Sequence, residues 1–65
     1  MHELPYNVAV FNAVVAALNS YTDAKNYAVA QSVNYPVGWV EVRDAKKAEA
    51  IIVAYENETL VYGNA

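Results

Sequence analysis

The most legible pattern lies in the second half of the chain. Tyr35-Pro36-Val37-Gly38 is a turn signal that feeds Trp39-Val40-Glu41-Val42-Arg43-Asp44, where valines alternate with large or charged residues. Period-two alternation marks a strand with one buried face, so a strand is predicted at about 38–43. Two further strands follow at about 51–56 and 59–62. Asn57-Glu58 turns the hairpin between them, with Tyr55 facing Leu60, Ala54 facing Val61 and Val53 facing Tyr62. Lys46-Lys47 sit at the tip of the preceding connection, with Val42 facing Ile51 and Val40 facing Val53. That register sets Asp44 against Glu49, a like-charge pair that favours a wider loop. The two registers agree on one core face of Val40, Val42, Ile51, Val53, Tyr55, Leu60 and Tyr62. Trp39, Glu41, Arg43, Ile52, Ala54, Glu56, Thr59 and Val61 fall on the other.

Upstream, Ser20-Tyr21-Thr22-Asp23 has the spacing of a capping box in its Asp form. The Ser20 hydroxyl accepts from the Asp23 amide, and Asp23 favours the positive end of the helix dipole. A helix at about 21–33 follows, and Tyr35-Pro36 stops it, because the residue before a proline avoids helical angles. Tyr21, Ala24, Tyr27, Ala28 and Gln31 share one side of it, and the alanines let it lie close against a sheet. Residues 6–19 admit two readings. A helix there would be apolar almost all round, which a surface helix of a small domain cannot satisfy. A hairpin turning at Asn12-Ala13, with strands at about 6–11 and 14–18, pairs Phe11 with Val14, Val10 with Val15 and Ala9 with Ala16. Its valines favour strands, whereas its alanines and the lack of a turn glycine favour a helix. The predicted fold is α+β, one helix packed on a small antiparallel sheet in the order ββαβββ. The alternative is ααβββ.

Sixty-five residues make a single domain, 1–65. So short a chain buries only about 60% of its unfolded surface, and cysteine is absent, which removes disulfides and thiolate metal sites. The one histidine, His2, is expected in a frayed terminus. Stability is therefore expected from association with another chain, or from a well-matched small core. Four Lys/Arg against seven Asp/Glu give a net charge of -3, which argues against direct nucleic acid binding through a basic patch. The carboxylates are too scattered for a dense acidic mimic of DNA. Met1-His2-Glu3-Leu4-Pro5 lacks the positive region of a signal peptide. Val8 to Leu18, interrupted by Asn12, is too short to span a bilayer. A soluble, cytoplasmic protein without a membrane partner is expected.

No Cys-His or Ser-His-Asp set can be built on a single terminal histidine, and glycines at 38 and 63 alone cannot cradle a phosphate. Glu56 and Glu58 flank a turn without the dense oxygen ligands of a calcium loop. No catalytic, cofactor or metal site is expected, and the chain reads as a non-enzyme. Lys46-Lys47 reads as a solvated loop that discourages edge aggregation. Of the six tyrosines, Tyr55 and Tyr62 are expected in the core and Tyr27 under the helix, with Tyr6, Tyr21 and Tyr35 partly exposed. What stands out is an apolar stripe of Trp39, Ile52, Ala54 and Val61 on the outer face, rimmed by Glu41, Arg43 and Glu56. Either the first hairpin or the termini cover Trp39, or it anchors an interface, since tryptophan is enriched among binding hot spots. A register slip would instead bury Trp39 and expose Val40 and Val42. Glu41 and Arg43 also have a plain reading as a surface ion pair, worth well under about 1 kcal/mol.

Ser-x-x-Asp-Ala at 20–24, Tyr-Pro-x-Gly-Trp-Val-Glu-Val at 35–42 and the acidic hairpin after them form a pattern running from Ser20 to Tyr62. In pattern and size it resembles very short phage-encoded proteins. Some of these are host-takeover factors that bind and block a host enzyme, such as RNA polymerase inhibitors and anti-CRISPR proteins. The resemblance assigns no residue a role. It implies a protein that inhibits by occupying a surface on a larger protein partner, in the host cytoplasm. The alternative is structural, with the same stripe forming a symmetric homodimer.

Overall fold

Valines make the sheet, and alanines bring a helix down onto it. A computed structural model describes residues 4–64, which form β1 (Tyr6–Val10), β2 (Ala13–Leu18), α1 (Tyr21–Asn34), β3 (Val40–Asp44), β4 (Ala50–Glu56) and β5 (Thr59–Tyr62). His2, expected in a frayed terminus, falls outside the described residues. The strands build one antiparallel sheet in the order β2-β1-β3-β4-β5, and α1 packs across one face. This is the ββαβββ arrangement; residues 6–18 form a hairpin, so the ααβββ alternative is excluded.

The core is a layer of small side chains. Val8, Val42 and Val53 stand in one row across β1, β3 and β4, each 0% exposed. Val10, Val40 and Tyr55 form the next row, also buried. Ala24 and Ala28 close over them from α1. The helix starts as expected, with Ser20 in extended geometry and its hydroxyl accepting from the Asp23 amide at 3.2 Å. Its buried stripe runs Ala24, Ala28, Ser32, one residue each turn, and ends on a polar side chain that the apolar pattern missed. Ser32 is fully buried yet satisfied: its hydroxyl donates to Val29 O at 2.6 Å and accepts from the Glu58 amide at 2.9 Å. It therefore ties the last turns of the helix to the β4–β5 turn.

Three departures from strict alternation separate the sheet from its sequence reading. The first hairpin turns at Phe11-Asn12, with φ of 50° and 66°, so Val10 faces Ala13 where Phe11 was expected to face Val14. Both central residues need positive φ, and asparagine tolerates that better than alanine at the second position. Val15 then bulges, so that Val8 faces Ala16 and Tyr6 faces Leu18. In the β3–β4 connection Asp44 faces Ala50 instead of Glu49, closed by the Lys46 amide donating to Asp44 Oδ1 at 3.0 Å. The loop is thus one residue wider, and a bulge at Ile52 compensates. Val42 faces Val53 and Val40 faces Tyr55, two residues from the expected register but on the expected face.

The third bulge is at Val61. Tyr55 faces Leu60 as expected, but Ala54 faces Tyr62 instead of Val61. Tyr62 therefore leaves the core side, where the sequence placed it, for the outer face. Ile51, also expected inside, faces Arg43 on the outer side, while Ile52 turns in against the core cluster. Gly63 is not a loose end. A Cβ there would lie 2.2 Å from Ile52 O, so the chain after β5 passes tightly over the β4 bulge.

Replacing Ser32 with alanine removes the acceptor for the part-buried Glu58 amide. Urea unfolding of Ser32→Ala is expected to show a loss of about 1–2 kcal/mol. A change at the exposed Thr22 of the same helix is expected to stay within about 0.5 kcal/mol.

Candidate partner-binding face

The sheet face opposite α1 has no second layer, so its own side chains must cover it. One row reads Ala9, Glu41, Ala54, Tyr62 across four strands; its neighbour reads Asn7, Arg43, Ile51. Ala9 and Ala54 are buried even though no helix lies on this side. Glu41 runs between them and is held by Arg43, whose Nε and Nη2 donate to Glu41 Oε1 at 2.9 and 2.6 Å. Nη2 also donates to Asn12 Oδ1 at 3.1 Å, and Nη1 lies 4.0 Å from Glu49 Oε2. Asn7 Nδ2 completes the chain by donating to Glu49 Oε1 at 2.6 Å. With side chains only 13% and 16% exposed, Glu41 and Arg43 act as a lid over the alanines. This is more than the loose surface pair that the sequence suggested.

Trp39 stands on the same side, just ahead of β3, 43% exposed while Val40 and Val42 are buried. Its ring lies 6.2 Å from that of Tyr62, tilted by 32°, and Tyr62 is 48% exposed. Among the described residues, nothing seals this pair, and the first hairpin does not reach over it. The loop before Trp39 is fixed from the other side. Gly38 takes φ of 93°, and a Cβ on it would lie 2.8 Å from Phe11 Cε1. Phe11 in turn meets Tyr35 edge-on at 5.9 Å.

Of the residues singled out in the sequence, Trp39, Glu41, Arg43, Ala54 and Glu56 share this outer face. Ile52 and Val61 do not join them, because each is the extra residue of a bulge. The cross-strand row of Trp39, Ala54 and Val61 is therefore not formed, and Ala54 is covered. The exposed apolar area is instead aromatic, with Tyr62 in the position given to Val61. Neither bulge contains a glycine of its own; Gly63, which passes over the β4 bulge, lies beyond β5 and does not single out Ile52 or Val61 in the sequence.

A cleft of about 410 Å³ opens at the other end of the molecule, where α1 begins, lined by Tyr6, Tyr21, Asp44, Lys47 and Ile52 among others. The Tyr6 and Tyr21 rings are 5.7 Å apart, and Lys25 Nζ stands 4.9 Å from the Tyr21 ring centre. Burial first, then the negative charge that the Tyr55 and Tyr6 phenols carry when ionised, push the Tyr21 phenol above its ordinary value. Among the described residues no three His, Cys, Asp or Glu side chains gather to hold a metal, and no helix is long and apolar enough to cross a membrane. Compared with protein-family models, curated proteins and solved structures, the chain matches none.

Two measurements follow from this geometry. In a double-mutant cycle, Glu41→Gln and Arg43→Met are each expected to destabilise, with a coupling of about 1–2 kcal/mol on denaturant unfolding, because each alone leaves the other covered and unmatched. For Tyr21, the folded phenol keeps its proton to higher pH than the unfolded one. Its contribution is complete below the ordinary value of 10.0 and fades as pH climbs through the raised folded value. Alkaline unfolding is therefore expected to be less steep in Tyr21→Phe.

Proposed function

We propose that the protein is a non-enzymatic binding module that inhibits a larger protein partner by occluding its surface, in the manner of phage host-takeover or anti-CRISPR factors. One observation carries this reading: the Trp39–Tyr62 pair lies open on a sheet face that no helix covers. Large aromatic rings held on a rigid sheet gain contact area at little cost in side-chain freedom, which is why they dominate protein interfaces. The docking site comprises Trp39 and Tyr62, with Glu41, Arg43 and Glu56 around them and Ala54 in the sheet beneath; Ile52 and Val61 fall outside it. The ordered pair of Glu41 and Arg43 fixes the rim, so the partner meets a surface already set for binding. The pattern shared with short phage proteins supports the inhibitory role, and a cysteine-free chain suits a host cytoplasm.

A homodimer is the second reading. It is favoured by β2, an edge strand of Ala13–Leu18 with no charged residue along it, since an uncharged edge accepts another strand.

Trp39→Ala is expected to weaken capture of the partner from host lysate by about 30-fold or more, with an unchanged unfolding midpoint. Capture at wild-type affinity would show that the assigned face is wrong. Light scattering over a dilution series separates the second reading, because a monomer at micromolar concentration removes the homodimer as the main role.

A further inference from the structure

Charge is divided unevenly between the two ends of the sheet. Where α1 begins, Lys25 stands over Tyr21 and Lys46 and Lys47 occupy the exposed β3–β4 loop, matched in number by Asp23, Asp44 and Glu49. Arg43, the remaining cation among the described residues, is held by Glu41 at 2.6 Å. Where α1 finishes, the β4–β5 turn carries Glu56 and Glu58, both exposed and in no ion pair among the described residues. The carboxyl end of the helix adds partial negative charge there, and no basic residue in its last turn offsets it.

This negative end is also the aromatic one. Continuing the register of Glu41 with Ala54 and Val40 with Tyr55 by one residue sets Trp39 opposite Glu56. Two open rings beside an unmatched carboxylate favour a cation, drawn by the negative faces of the rings and by the carboxylate together. A lysine ammonium is compact and strongly hydrated. A guanidinium sheds water more readily and lies flat on a ring while donating to a carboxylate. A purely apolar partner would cover the rings but leave Glu56 unmatched, and a nucleic acid would be repelled by this end.

We propose that the Trp39–Tyr62 pair, with Glu56 beside it, receives an arginine side chain from a basic surface of the partner protein. The assignment rests on the occlusion reading above and adds to it the chemistry of what is occluded.

Trp39 is the chain's one tryptophan, so its emission reports occupation directly. The probe is a short Gly-Arg repeat peptide, titrated alongside a peptide with the neutral isostere citrulline at each arginine, and a single-stranded oligonucleotide. A saturable change with the arginine peptide is expected, at least about fivefold weaker with citrulline and falling as salt rises. Glu56→Gln and Tyr62→Leu are each expected to weaken the response by about three- to tenfold, while Glu58→Gln, an equal change of charge in the same turn, changes it by less than about twofold. Equal responses to arginine and citrulline, no saturation by about 5 mM, or a preference for the oligonucleotide would overturn the proposal. Partner capture separates the two levels. Loss with Trp39→Ala but not with Glu56→Gln leaves occlusion standing and removes the arginine; full capture by both variants removes occlusion as well.

Discussion

The structure depends on one contact: a helix face of alanines pressed on a sheet face of valines. Ala24 and Ala28 share one buried cluster with Val8, Val42 and Val53. Small groups on both surfaces bring the layers close, so that a thin interior still packs densely. The largest side chains fully sealed in it are four valines and Ser32. A core of this kind has little slack, since there is no long, adaptable side chain to absorb an added methylene. It also explains why Ser32 belongs in the buried stripe. Only a small residue fits at that level, and its hydroxyl finds both a donor and an acceptor there.

One helix can cover one face only. The second face is closed by other means: a charged pair laid over alanines in the middle, and aromatic rings at the end near the helix carboxyl terminus. These solutions differ in what they leave open. Glu41 and Arg43 satisfy one another and expose little, whereas Trp39 and Tyr62 touch each other and still present much of their rings to solvent. On the proposed reading, recognition would therefore occupy a different face from the one that carries stability. A change at Trp39 removes no contact from the Ala–Val layer, which is why loss of binding there can be read without loss of fold.

Much of this was legible in the chain. Valines at 40 and 42 with Trp39, Glu41 and Arg43 between them fixed which way β3 faces, and Ser20 with Asp23 fixed the start of α1. The Asn57-Glu58 turn and the facing of Tyr55 and Leu60 were legible too, because a two-residue turn determines the register next to it. Legibility ended at the bulges. Val15, Ile52 and Val61 are all β-branched residues of the kind that regular strands favour, and nothing in their sequence distinguishes an extra residue from a paired one. Each bulge reverses the parity beyond it, and the reversal at Val61 moved Tyr62 out to Trp39. The bulge at Ile52 has a visible cause only in three dimensions: the wider loop had put β4 out of phase, and one extra residue returned Val53 and Tyr55 to the helix side.

The internal pairing of Arg43 bears on the proposed recognition as well as on stability. Left unpaired, its guanidinium would sit on the same strand and face as Trp39, within reach of any carboxylate on that surface. It would then compete for the rings and repel an incoming cation. Glu41 removes that competition, and Asn12 and Glu49 hold the guanidinium from further sides. The carboxylates left free at the aromatic end are those of the β4–β5 turn, whereas at the other end Asp23, Asp44 and Glu49 are matched in number by the three lysines. A field of this polarity orients an approaching basic surface before contact, most strongly at low salt. The feature that closes the uncovered face therefore also leaves its aromatic end uniformly negative, and the proposed docking geometry needs both.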